Sequence, residues 1–335
     1  MRGGGALPAA GTDRPDPVHV LFCANGAYLQ HAAVAAVSLL EASAGSPVVI
    51  HVMMMQGDPE AQAMMAWTVR RFPNARIEFH RIDDRRISGA FVDRYLSSEA
   101  YLRFLAPEVL SPAITRVIYL DCDLVVLDDL RRLWRVDLGG RAVGAVAECD
   151  WMNGSVENRL TRLGIGRGHV YVNSGVLLMD LERWRRDRLA DRLFDVVAAR
   201  GPMLQFHDQD ALNMVLQGDI ALLDRRWNVQ VLMFGRWMRK ALPADYEATR
   251  EARRDPGIIH YTTASKPWLF RSWTRKRALY YRYLDRTAWR HVPPPLPGRA
   301  ARLEHRLSRA LLRIGLDPYA LLPVWQRVRR SVSRI

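Results

Sequence analysis

Two carboxylates two residues apart, Asp121 and Asp123, interrupt an otherwise apolar run from Ile118 to Leu127. On an extended backbone residues i and i+2 project to the same side, so both side chains can reach one ion. A charge inside such a run is costly unless it is paired or bound to a cation. Hard divalent ions such as Mn²⁺ and Mg²⁺ take oxygen ligands and are often shared with phosphate. Asp-x-Asp alone is equally consistent with a strand-to-turn junction whose aspartate caps the next element. A second segment, Ile258 to Trp268, is a short apolar strand ending in His260, then a small polar loop, then Lys266-Pro267-Trp268. An imidazole can complete the coordination of a Mn²⁺-type ion, and a lysine six residues on can neutralise phosphate as a point charge. A lone histidine at a strand end is more often structural. The two segments in one chain point together to a metal–diphosphate site.

Such residues need a scaffold that brings strand ends together. Apolar runs predict strands at 19–24, 47–54, 76–82, 116–120, 142–147, 171–178 and 257–260, alternating with helices that include 29–43, 58–72 and 181–199. That alternation predicts an α/β fold, a mostly parallel central sheet with helices on both faces. Ligands on such sheets bind beyond the carboxyl ends of the strands, where Asp121, Asp123 and His260 fall. A chain of 335 residues can bury one large core of this kind. Residues 1–17, rich in Gly, Pro and Ala, are expected to be disordered. We expect a catalytic domain over 18–290 and a basic helical tail over 291–335.

Further segments follow in order: His19-Val-Leu-Phe-Cys-Ala-Asn-Gly-Ala-Tyr28, Ser97-Ser-Glu-Ala-Tyr-Leu-Arg103, Asn173-Ser-Gly-Val-Leu-Leu178 and His207-Asp-Gln-Asp-Ala-Leu-Asn213. With the two segments above, and over about residues 18–290, the chain resembles glycosyltransferase family 8. These are retaining, metal-dependent enzymes of the GT-A fold, including glycogenin and bacterial lipooligosaccharide galactosyl- and glucosyltransferases. The resemblance implies transfer of a hexose from a UDP-sugar to a glycan or lipid-linked acceptor, with Mn²⁺ or Mg²⁺ on Asp121, Asp123 and His260 bridging the diphosphate. It implies donor contacts from Cys23, Ala24, Asn25 and Tyr28 near the uracil, from Arg103, Asp121, Cys122, Glu148, Asn173 and Ser174, and from Thr263 and Lys266. Asp208 and Gln209 would lie near the anomeric carbon as the catalytic pair.

The residue types suit these roles. The Tyr28 ring can stack on a flat base, Arg103 offers a planar fork, and Asn173 and Asp208 can hydrogen-bond sugar hydroxyls. Asp208 and Asp210 also stand where a helix N-terminus favours acids, so capping competes as an explanation. Two positions depart from the family pattern. Asn25 stands where the family usually has Asp, keeping hydrogen-bonding capacity without the charge. Thr263 replaces a glycine of the kind that lets backbone approach phosphate closely.

The net charge of +14 raises the question of nucleic acid, yet lysine occurs only at Lys240, Lys266 and Lys276, and no recognition motif accompanies the arginines. No specific nucleic-acid partner is expected. Cys23, Cys122 and Cys149 show no zinc or redox spacing and read as reduced thiols. Neither a signal peptide nor an 18-residue apolar span is visible, which predicts a cytoplasmic protein, peripheral at the inner face of the membrane. Residues 296–335 predict two amphipathic helices. Leu303, Leu307, Leu311 and Ile314 line one, and Leu321, Trp325, Val328, Val332 and Ile335 the other, both flanked by arginines. Basic helices with such faces suit an anionic bilayer; docking on the catalytic domain is the alternative. Two further readings remain open: a catalytically silent nucleotide-sugar binder, and a basic membrane- or polyanion-associated protein with a vestigial transferase fold.

Overall fold

In the computed structural model, strands β1 (Val18–Cys23), β2 (Val48–Met54), β3 (Ala75–Arg81) and β4 (Arg116–Leu120) lie parallel, with β1 between β2 and β4. Strand β7 (Val172–Asp180) is antiparallel to β4 and to β6 (Val143–Ala147), and β8 (Ile220–Leu222) pairs with β6 in parallel. The sheet order is β3-β2-β1-β4-β7-β6-β8. The structure describes residues 16–88, 98–149, 156–166, 168–235, 238–239, 243–293, 296 and 298–318.

β2 and β4 are buried almost throughout, as expected for strands covered on both faces, and alternate residues feed two cores. Val20, Phe22, Ile50 and Val52 meet the alanine-rich helix Leu29–Ala42 on one face. Leu21, Met53, Tyr119, Leu177 and Met179 meet Trp184, Leu193 and Phe194 on the other. β3, at the sheet edge, alternates intermediate with exposed positions along most of its length. Helix Pro59–Arg70 starts as its sequence dictates, with proline at its first position and the Asp58 side chain accepting from Ala61 N at 3.0 Å.

Two expectations change in detail. The strand expected over 116–120 is β4, but the apolar run beyond it belongs to a different sheet. The chain bends across Asp121–Asp123, and β5 (Leu124–Val126) joins a second, three-stranded sheet with β10 (Ile258–His260) and β9 (Val229–Gln230). The helix expected over 181–199 is two helices, Leu181–Arg186 and Leu189–Arg200. Arg188 between them is left-handed at φ 49°, and the Asp187 carboxylate accepts from Arg183 Nε at 2.9 Å. No glycine or proline marks that break.

Helix Gly298–Arg313 lies on helix Arg277–Leu284. It turns Ala301, His305, Ser308 and Leu312 inward and leaves Leu303, Leu307 and Ile314 exposed. Ion pairs to Asp285 from Arg309 and Arg313, and from Arg271 to Glu304, tie it down. The second expected tail helix, Leu321 to Ile335, lies outside the described residues, as do residues 1–15. Among the described residues no helix is long and apolar enough to cross a membrane.

Candidate metal centre

The bend between the two sheets is where the sequence places its paired carboxylates. Asp121 N donates to Gly175 O of β7 at 2.8 Å, and Tyr261 N, just past β10, donates to Asp123 O at 2.9 Å. β10 runs antiparallel to β5 with His260 opposite Leu124, which delivers the imidazole to the same corner. His260 Nε2 lies 3.1 Å from Asp123 Oδ1 and 3.5 Å from Asp121 Oδ2. Its other nitrogen, Nδ1, is 2.9 Å from Asn228 Oδ1, and Asn228 Nδ2 donates to Asn173 Oδ1 at 2.8 Å. That chain fixes Nδ1 as the protonated nitrogen and aims Nε2 at the carboxylates, the arrangement that metal-binding histidines use. A Cβ built on Gly175 would stand 2.2 Å from His260 Cε1 and 2.6 Å from Asp121 Oδ2, so only glycine permits the approach.

The corner is electrostatically dense. Lys266 Nζ pairs with Asp123 Oδ2 and donates to Tyr261 O at 2.8 Å. Burial alone would raise the Asp123 pKa, but the Lys266 ammonium and His260 hold it well below the carboxylate range. Burial alone would lower that of His260, but Asp123 and Asp121 overcome this and raise it above 6.5. Asp121, Asp123 and His260 lie close enough together for one ligand atom from each to reach a single ion. Oxygen and imidazole donors of this kind suit Mn²⁺ or Mg²⁺ more than a thiophilic metal.

A polar wall adjoins the corner. Arg103 is buried, with its guanidinium carbon 4.1 Å from the Tyr119 ring centroid. Its Nη2 donates to Asp121 Oδ1 at 3.0 Å, and its Nη1 donates to Ser174 O at 2.7 Å and pairs with Asp208 Oδ2 at 3.2 Å. Asp208 also accepts from Ser174 Oγ at 2.9 Å. Burial, with Asp121 nearby, raises the Asp208 pKa against the pull of Arg103. Gln209 Oε1 accepts from Asn173 Nδ2 at 3.0 Å and Ser174 N at 3.1 Å, while its Nε2 donates to Glu148 Oε2 at 3.0 Å. Glu148 follows a register shift near the end of β6, the kind of irregularity that re-aims a side chain. It accepts from Asn173 Nδ2 at 2.9 Å and from Gln230 Nε2. Asp210 braces the turn leading into the helix: its Oδ2 accepts from Gln205 N at 2.8 Å and Phe206 N at 3.0 Å.

The loop after β1 forms a third part. Asn25 Oδ1 caps a short 3-10 turn by accepting from Tyr28 N at 3.1 Å, a job that needs no charge. Tyr28 is half exposed and meets Trp268 edge-on at 6.2 Å, which joins this loop to the Lys266-Pro267-Trp268 segment. Ala24 N is taken by Met53 O at 3.1 Å, and Cys23 O accepts from Cys122 Sγ at 3.4 Å. Thr263 keeps its hydroxyl within its own loop, donating to Ser265 O at 3.4 Å. Cys23, Ala24, Asn25 and Tyr28 thus gather at one loop. Arg103, Glu148, Asn173, Ser174, Asp208 and Gln209 form the wall, and Asp121, Cys122, Asp123, His260 and Lys266 the corner.

Two positioning residues, Asn228 and Gln230, were not read from sequence, and Gly175 was read only as part of the Asn173–Leu178 segment. Gly175 carried a usable signal, since glycine inside an apolar strand marks a close approach. Asn228 and Gln230 carried none, lying on and beside a two-residue strand.

The sequence family described as Glycosyl transferase family 8 matches residues 19–272. General stress protein A of Bacillus subtilis is 27% identical over 282 residues, spanning 83% of this chain and 96% of that relative. The lipopolysaccharide 1,2-glucosyltransferase of Escherichia coli K12 is 26% identical over 222 residues, 65% of this chain and 63% of that relative. Among solved structures, the galactosyltransferase LgtC in complex with donor and acceptor sugar analogues superposes with a TM-score of 0.69 at 25% identity, covering 82% of this chain and 99% of LgtC. The seven-stranded sheet with helices on both faces is of the GT-A type.

Proposed function

This chain belongs to glycosyltransferase family 8, and on that premise we propose that it moves a hexose from a UDP-sugar to a glycan or lipid-linked acceptor with retention at the anomeric carbon. The observation that carries this reading is the meeting of Asp121, Asp123, His260 and Lys266 at one strand-end corner. A galactosyltransferase and a glucosyltransferase among the similar proteins support galactose or glucose as the hexose. Asp121, Asp123 and His260 would hold Mn²⁺ or Mg²⁺, which when bound would offset charge developing on the departing UDP.

The remaining roles belong to the side chains. Lys266 brings a point charge to the diphosphate, exchanging its pairing with Asp123 for phosphate oxygens. Tyr28 offers its exposed ring to the base. Arg103 gives its Nε to Ala100 O and its two other nitrogens to Asp121, Asp208 and Ser174. It therefore acts chiefly as a brace that fixes both carboxylates. Glu148, Asn173 and Gln209 present a hydrogen-bonding edge to the sugar hydroxyls. Asp208 is held by Arg103 and Ser174, and the Gln209 amide by Asn173, Ser174 and Glu148. Neither is poised as a nucleophile, which favours front-face displacement. The acceptor oxygen bonds to the anomeric carbon as the bond to the β-phosphate oxygen breaks. The electron pair leaves with UDP, and the acceptor proton passes to a UDP phosphate oxygen.

We read 18–290 as the catalytic unit and 291–335 as a membrane-facing appendage of a cytoplasmic protein. Exposed Leu303, Leu307, Ile314 and Leu316 beside Arg302, Arg306 and Arg313 suit the inner, anionic leaflet and a lipid-linked acceptor. The test is UDP release from a panel of UDP-sugars with and without Mn²⁺, on the native chain and on Asp123→Ala. Metal-dependent release from one sugar, lost in the variant, supports the reading. A second reading, a silent nucleotide-sugar binder, is favoured by Thr263 placing a branched side chain in the loop before Lys266. It predicts binding of the same sugars with no release.

A further inference from the structure

A second group of metal-ligating side chains lies away from the corner, on the sheet face of β1, β2 and β3. His51, in the middle of β2, is buried; Glu78 pairs with it in register on β3, and His80 stands two residues further along β3. His51 Nδ1 is 3.1 Å from His80 Nε2 and 3.4 Å from Glu78 Oε2. His51 Nε2 is 2.9 Å from His19 Nδ1 of β1, whose ring stacks on it. The strand register pairs Cys23 with Met53, so His51 lies two residues below the strand ends that open onto the donor loop.

At His51 Nδ1 a hydrogen bond serves one neighbour at a time, and Glu78, half exposed, turns to water for the rest. A ring nitrogen carries either one hydrogen or one lone pair. If His51 gives its Nε2 hydrogen to His19, Nδ1 has a lone pair, which His80 can satisfy but the Glu78 carboxylate cannot. If Nδ1 carries the hydrogen, it serves His80 or Glu78 in full, not both. A single cation satisfies all three atoms. Four ligands at zinc-like bond lengths of about 2.0–2.1 Å stand roughly 3.3 Å apart at tetrahedral angles, close to the 3.1 and 3.4 Å observed. Two imidazoles and one carboxylate form a borderline donor set of the kind zinc takes. Histidine ligates through the lone pair of a neutral ring, and His51, His80 and Glu78 bring their donor atoms together on one face of the sheet.

We propose that His51, His80 and Glu78 form a second metal site, taking Zn²⁺ or a similar borderline divalent ion, with His19 as the residue that orients His51. Glu78 is half exposed on the edge strand, so solvent reaches the site and water supplies the fourth ligand. The ion ties β2 to the edge strand β3, and His19 extends the tie to β1. It stabilises that side of the sheet by binding the folded chain more tightly than the unfolded one.

The test uses the untagged full-length chain carrying Asp123→Ala, so that the corner does not compete. The metal-free protein is titrated with Zn²⁺ by calorimetry and with Co²⁺ by visible absorption, and its melting temperature is followed. The expected result is one Zn²⁺ per chain, a tetrahedral Co²⁺ band and a raised Tm. Adding His80→Gln abolishes the band and the Tm rise, and adding Glu78→Gln weakens both. Adding His19→Ala weakens Zn²⁺ binding by roughly 10–100-fold, the range for a residue that orients a ligand. Metal-free melting curves establish that each variant is folded. In the otherwise native chain, His80→Gln leaves Mn²⁺-dependent UDP release unchanged. The proposal is overturned if folded Asp123→Ala binds no Zn²⁺, which would make the cluster a hydrogen-bonded imidazole chain. It is equally overturned if Zn²⁺ binds unchanged in His80→Gln and Glu78→Gln.

Discussion

The wall around Arg103 and the docking of helix Gly298–Arg313 are both held by arginine–carboxylate pairs, yet they are built on opposite terms. Arg103 is buried, and its partners Asp121 and Asp208 come from the bend after β4 and from the start of helix His207–Val215. The C-terminal helix rests on Ala301, His305, Ser308 and Leu312, with Arg313–Asp285 and Arg271–Glu304 at the solvent boundary. In the wall each charge is fixed by several partners, and removal of one strands the others in low dielectric. At the helix, water and salt screen the pairs, which contribute about 0–1 kcal/mol each. A transferase needs the first arrangement where reacting groups must not drift, and tolerates the second where a surface meets something else.

The sharpest way to test that contrast is Arg103→Leu, which leaves Asp121 and Asp208 without their shared guanidinium. Chemical denaturation should show a loss of about 3–5 kcal/mol, and a loss under 1 kcal/mol would place the wall with the surface pairs. Gly175→Ala comes next. Its added methyl has to displace His260 or Asp121, with an expected cost of about 1–3 kcal/mol and a loss of Mn²⁺ binding measurable by calorimetry.

A pH titration probes the corner more gently. The His260 pKa is raised in the folded, metal-free protein. Its stabilisation is therefore fully present below pH 6.5 and lost as pH rises through the elevated value. A divalent ion competes with that same proton, so Mn²⁺ affinity should climb with pH across that window, and a flat profile would remove His260 from the ligand set. The smallest effect belongs to Leu303→Gln with Leu307→Gln. Both side chains are exposed, so stability should move by no more than about 0.5 kcal/mol. Sedimentation with anionic vesicles should fall, and unchanged sedimentation would leave the helix as a docked element only.

How much of this could be read from the chain follows the same division. Asp121, Asp123 and His260 stood out because charged or titratable groups next to apolar strands need a reason. The long strands were legible from their apolar runs. The end of β4 at Leu120 was legible too, but the move of Leu124–Val126 to a second sheet was not, because a change of sheet alters partners without altering composition. Asn228 stayed invisible because its importance lies in bonds to His260 and Asn173, remote in sequence. The leucine stripe of the C-terminal helix was correctly seen as apolar, but which face docks was decided by small residues and by Asp285, a partner that the helix's own periodicity does not contain.

The contact between Cys122 and Cys23 at the floor of the loop after β1 has a practical chemical consequence. All three cysteines are buried as free thiols. Burial raises the pKa of Cys23 and Cys122 far above the ordinary thiol range and that of Cys149 to about 11. The thiolate is the species that oxidants and alkylating reagents attack, and at neutral pH these residues almost never present one. The loop after β1 can therefore use sulfur as a compact apolar filler, and the folded protein should keep its activity through peroxide or iodoacetamide treatment that would silence an exposed thiol.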